Sequence, residues 1–456
     1  MRRLPTQRHA LIRRLLRRAF VSLLAVIFVA LAASASAQTQ EDGSELPVRI
    51  AIPTFSSDTA ETEEWAQRIA RVLAADLARS QAFIPLEQTA LVRERVSLNA
   101  MPSFTDWRAT NARALLVGRV TSAPGGRLRL AFRLWDVASG QQRVGAQYYA
   151  PQQHWRRLAH VAADAVYSNV TGVPGYFDTR IAFIEQRNDV EPPVTRLAVM
   201  DQDGRNLEYL TKGVQPALSP RFSPVAQQLI YVVDTGGAPR LILRDLHRGL
   251  TETIGDFPGL MAPPRFAPDG HRIVMSLRRG GNANLYEIDL RTRTLRRLTE
   301  TAAIDTAPSF SPSGRHVVFV SGRSGTRQLY VMRANGRSQQ RISRGEGRYA
   351  EPVWSPRGDF IAFVKRLQGQ AFLGVMKPDG SQERLLTAAP DIGGLSWAPN
   401  GRALVFSRLQ QGEQGKAELV VISLNGNGER VLETPHPATD PSWSAPLEPR
   451  GSMRRR

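Results

Sequence analysis

Cysteine is absent from the 456 residues, and lysine nearly so: four lysines stand against 56 arginines. Without cysteine there is no disulfide, no thiolate metal site and no thiol nucleophile. At this length the core can hold without covalent staples, so an oxidising compartment stays open. Long apolar runs are also scarce. The one at residues 20–33 is too short to span a bilayer comfortably, and nothing after it suits a membrane helix. Dense runs of positive charge are missing from the rest of the chain. The arginines are scattered, which excludes the clustered basic and aromatic pattern of a nucleic-acid binder.

What the N-terminus does have is an export signal. Residues 1–19 carry seven arginines and no acid, the apolar run follows, and Ala35-Ser36-Ala37 supplies a small-x-small cleavage site. This is the order of a secretory signal peptide ending at Ala37. Arg17-Arg18-Ala19-Phe20 is also similar to a twin-arginine signal, but the strongly apolar run favours the general secretory route. Loss of those seven arginines takes the formal charge from +19 to +12. The mature chain then opens on a polar, flexible segment, residues 38–47, and ends on a disordered basic tail, residues 447–456.

Between these ends the apolar pattern changes once. Residues 48–53 and 82–85 read as short strands. Residues 61–80 have apolar side chains at helical spacing, with Glu61, Glu63 and Glu64 in the first turn, where the helix dipole favours acids. Residues 114–121, 127–138 and 142–150 form a meander separated by glycine turns, and residues 155–170 a second helix. A small α/β domain is expected over residues 48–171.

From residue 172 to 446 the chain repeats. Phe222, Phe266, Phe310, Trp354, Trp397 and Trp443 each precede Ser-Pro, Ala-Pro or Ser-Ala-Pro, at steps of 44, 44, 44, 43 and 46 residues. A fixed period in the low forties signifies a β-propeller with one four-stranded blade per repeat. Within the copy PSFSPSGRHVVFVSGRSGTRQLYVMRANGRSQQRISRG, proline and glycine set the turns around β-branched strands. The aromatic at each head is expected to wedge between blades. The first blade, opening near Asp178, lacks such a head, and the last head, Trp443, has no blade after it. Joining the two gives six blades and closes the ring, leaving no open edge.

Catalytic constellations are missing. Gly322-Arg323-Ser324-Gly325 fails the nucleophile-elbow spacing, and the mature histidines (His154, His160, His247, His271, His316, His436) show no zinc-type pairing. Asp201-x-Asp203-Gly204 starts like a calcium loop but lacks the later acids, and reads as a hairpin turn. No cofactor, no metal and no enzyme activity is expected. The alternative reading is a hydrolase or small-ligand site in the central channel.

The remaining variation lies in the loops that run from one blade into the next head. Leu260, Met261, Ile304, Tyr349 and Ile392 at their tips, beside Asp305, Glu351, Asp391 and Asp440, would suit a protein interface.

Several phrases carry a family resemblance. Thr171-Gly172-x-x-Gly175-x-Phe177-x-Thr179-Arg180-Ile181-Ala182-Phe183, the heads PRFAPDG and PVWSPRG, and the N-terminal DLARSQAF and FRLWDVASGQQ resemble the TolB family of the periplasmic Tol-Pal system. The resemblance runs from about Val48 to Ser444. It implies a monomeric, non-enzymatic adaptor that binds the lipoprotein Pal over the propeller mouth, through Leu260, Met261, Pro263, Asp305 and Thr306. It also implies contact with TolA through the mature N-terminus, here Gln38, Thr39, Gln40, Glu41 and Asp42, with a role in outer-membrane integrity and constriction at division. Other envelope partners are compatible with it. Leu260 replaces the polar residue expected there, and Val225-Ala226 the usual x-Gly of a repeat.

Overall fold

The computed structural model describes residues 46–87, 95–410 and 416–447. The signal peptide, the Gln38–Asp42 segment and the basic tail beyond Leu447 lie outside the described residues. No described helix is long and apolar enough to cross a membrane.

The N-terminal domain has the order β1 (Val48–Ala51), β2 (Ser56–Ser57), α1 (Ala60–Arg79), β3 (Phe83–Pro85), α2 (Phe104–Ala109), β4 (Ala114–Ala123), β5 (Arg127–Asp136), β6 (Gln142–Pro151) and α3 (Trp155–Thr171). Its sheet runs β3-β1-β4-β5-β6, parallel at the first two pairings and antiparallel through the meander. α1 starts where Thr59 caps it, its hydroxyl accepting from the Thr62 backbone while the Thr62 side chain returns the bond. The buried stripe Ile69, Leu73 and Leu77 then lies with Leu158 and Val166 of α3 in one core with Ile50, Leu116 and Leu130 of the sheet. α2, with its buried Phe104 and Trp107, was not legible from the periodicity, because six residues are too few to show one. Gly172, at φ 70°, ends α3 in the left-handed conformation that glycine adopts without strain.

Six four-stranded antiparallel sheets follow. The inner strand of blade one is the last of the chain, Ala438–Trp443, paired with Arg180–Arg187. The other inner strands are Ala217–Phe222, Leu260–Phe266, Asp305–Phe310, Arg348–Trp354 and Ile392–Trp397. Each head aromatic joins a core shared with the preceding blade: Phe266 packs with Ile230 and Val232 of blade two and with Ile273 of its own. Serines just before the heads fasten neighbours together. The hydroxyls of Ser309, Ser396 and Ser442 accept the backbone N–H of Trp354, Trp443 and Phe222.

Every inner strand carries a register shift between its entry and its head. In five of them the bulged residue has positive φ: Ser219, Ala307, Glu351, Gly394 and Asp440. The sixth position is Pro263, whose ring forbids that conformation, and its strand shifts register twice instead.

Candidate functional site

All six inner strands begin at one face of the ring, so the loops leading into them surround one mouth of the channel. The strands end, at their heads, toward the opposite base, where the Asn400 side chain donates to the carbonyl of Pro174 at the domain linker.

The structure divides the interface residues expected from sequence into three groups. Met261 (37% exposed), the half-buried Leu260 and Thr306, and Asp391 lie at the mouth, and Asp391 pairs with Arg366 at 2.6 Å. Pro263, Glu351 and Asp440 occupy the bulges of their strands, below the rim. Glu351 accepts the backbone N–H of Gly394 at 2.7 Å; burial, reinforced by Asp440, pushes its carboxyl above the usual range.

The third group is a correction. Asp305 and Tyr349 are fully buried, and so is Ile392 at 1% exposure, so they do not offer loop-tip contacts. Asp305 accepts from the Arg323 guanidinium at 3.1 Å and from the hydroxyls of Ser321 (2.6 Å) and Thr301 (3.0 Å). Tyr349 donates to Glu383, which also takes Lys365 at 2.7 Å. These bonds meet the polar groups internally, and burial becomes affordable.

Two further apolar residues belong to the mouth: Val214 (89% exposed), in the loop entering blade two, and Leu218 (39%), the second residue of that blade's inner strand. With Leu260 and Met261, entering the adjacent blade three, they make a mostly exposed apolar edge on one side of the ring. Apolar residues in a loop otherwise rich in Gly, Pro and Gln were the available signal in the sequence.

A second polar assembly holds the two domains together. His160 of α3 is 1% exposed, its Nδ1 2.6 Å from Asp76 of α1, and its Nε2 is 3.9 Å from Asp201 and 4.0 Å from Asp203. Burial alone would depress this imidazole, but Asp76, Asp203 and Asp201 outweigh it and raise its pKa to about 9. Arg79 pairs with Asp76, Arg156 with Asp203, and Gln202 donates to Asp76 at 2.9 Å. Among the described residues Asp76, His160 and Asp203 are spaced to hold a metal ion. Their carboxylates are already taken by guanidinium groups, and the cluster acts as a charge joint. Residues so distant in sequence carry no motif for it.

Residues 167–447 match the family model of the TolB beta propeller domain, and residues 41–143 that of the TolB amino-terminal domain. Among solved structures the chain is similar to TolB from Acinetobacter baumannii, at 26% identity and TM-score 0.76, over 88% of this chain and 97% of that one. Looser likenesses carry no functional argument. They include hydrazine synthase from Kuenenia stuttgartiensis (14% identity, TM-score 0.49, 62% of this chain and 49% of that one). Oligogalacturonate lyase from Vibrio parahaemolyticus is another (15% identity, TM-score 0.40, 55% and 78%).

Proposed function

The chain belongs to the TolB family, and from that premise we propose that it is a periplasmic adaptor of the Tol-Pal system. It is exported with a cleaved signal peptide. It binds the lipoprotein Pal at the propeller mouth and TolA through residues 38–47, and so supports outer-membrane integrity and constriction at division. It works by docking and performs no chemistry of its own.

The observation that supports this reading is the apolar edge formed by Val214, Leu218, Leu260 and Met261 at the rim. Exposed side chains of this kind, with the half-buried Thr306 entering the next blade beside them, are what a protein partner buries at the centre of an interface.

Titration calorimetry of the mature protein against the soluble domain of a peptidoglycan-associated lipoprotein tests it. Leu218→Asp with Met261→Asp should weaken binding by about a hundredfold, two hot-spot losses of ~1–2 kcal/mol each. Undiminished affinity in that variant would overturn the site. Deletion of residues 38–47 should abolish TolA binding and leave Pal bound.

A further inference from the structure

The base end of the channel contains a cavity of about 450 Å³ whose walls are the head aromatics and the prolines that follow them. The aromatic rings and pyrrolidines leave it chiefly apolar. Serines and Asn400 also line it, and two of its lining side chains are charged. They are Arg221 and Arg265, each immediately before a head aromatic, in adjacent blades.

Their position in the repeat makes them unusual. The equivalent residue in three other blades is Ser309, Ser396 or Ser442, whose hydroxyl closes the ring by accepting the next head's N–H. Arginine has no acceptor and cannot replace that bond. The two guanidiniums are therefore surplus to closure, and withdrawing Arg221 fully and Arg265 partly from water is costly.

Neither is neutralised at contact distance. Among the described residues no carboxylate lies within 4.0 Å of either. Arg221 is 3% exposed, with its Nη1 donating to the carbonyl of Pro220 at 2.6 Å and its Nε buried without a partner. Arg265 reaches across the channel, Nη2 donating to the carbonyl of Leu395 at 3.2 Å. Burial and then the neighbouring Arg221 charge press Arg265 down to about 9. The acids Glu351 and Asp440 act on both from the bulge level nearer the mouth.

We propose that this cavity binds a small organic carboxylate, its charge held by Arg221 and Arg265 and its apolar or aromatic body packed against the head aromatics and their prolines. A largely apolar concave volume with a few convergent charged donors is the usual form of a small-molecule site. Guanidinium forks suit a carboxylate's two oxygens. Trp354, Trp397 and Trp443 line the same space and report on occupancy.

The test compares 4-phenylbutyrate with its neutral amide on the intact mature protein, by tryptophan fluorescence and calorimetry. The carboxylate should bind with a Kd of about 1 mM or tighter. The amide should bind at least about tenfold more weakly. Arg221→Ser with Arg265→Ser, which introduces the residue found in three other blades, should bind both at the amide's level. Equal affinity of acid and amide for the unaltered protein, or no binding of the acid at about 10 mM, overturns the proposal. That comparison decides the matter even if the double variant does not fold.

Discussion

The indole N–H of Trp443, in the last strand of the propeller, donates to the hydroxyl of Thr179, at the threshold of the first, at 2.8 Å. Around this bond the backbone N–H of Ser444 donates to Arg180, the Arg180 N–H to the Ser444 hydroxyl, and that of Leu447 to Asp178. Tyr176 meets the indole edge-on at a centroid distance of 5.8 Å. Chain segments 264 residues apart thus form one sheet. Trp443→Ala should cost about 3–5 kcal/mol. Trp443→Phe, which keeps most of the area and loses the bond, should cost about 1 kcal/mol. Urea unfolding followed by far-UV circular dichroism separates the two.

The Asp305–Arg323 pair makes a different prediction. Asp305→Ala strands the guanidinium and the hydroxyl of Ser321, and stability should fall by about 3 kcal/mol. Partner binding, measured well below the melting temperature, should be nearly unchanged, because this carboxylate never reaches the mouth. A large loss of affinity in a fully folded Asp305→Ala protein would return Asp305 to the interface.

Stability should also depend on pH through the domain joint. His160 has a folded pKa of about 9 against an ordinary 6.5. Its imidazolium therefore contributes fully below about pH 6.5, and the contribution drains as pH rises through about 9, amounting to about 3 kcal/mol at most. Denaturant midpoints at pH 6.5 and 9.5 should differ in the parent protein. In His160→Asn that step should largely disappear.

Gly175 offers a steric test of the linker. A Cβ there would lie 2.1 Å from the Asp164 carboxylate and 2.6 Å from its Cα. That carboxylate accepts the backbone N–H groups of Phe177 and Asp178, at 2.7 and 3.0 Å. Gly175→Ala must move α3 or break those bonds, and a loss of about 2–3 kcal/mol is expected. A melting temperature equal to the parent's would count against this account.

The architecture was largely legible because its cause is local and repeated. An aromatic, a small residue and a proline recur at each head, and the orphan strand and orphan head imply closure. The bulges were not, because Ser219, Ala307, Glu351, Gly394 and Asp440 share a backbone conformation and no side-chain chemistry. Asp305 and Tyr349 were misplaced for a related reason. A charged or hydroxylated residue beside a loop suggests solvent, unless its partners, here Arg323 and Glu383, are known in advance. Arg221 and Arg265 were visible as letters, but their meaning came only when the serines at equivalent positions proved to hold the ring together.

Closure by the chain's own last strand also sets an order in time. A polypeptide made from its N-terminus presents Arg180–Arg187 long before Ala438–Trp443 emerges. Until then blade one has a bare inner edge and the hydrophobic residues Tyr176, Phe177 and Ile181 lack their partner Trp443. The ring can lock only once synthesis is nearly over. A chain stalled short of residue 438 would keep that edge open to proteases and to other chains.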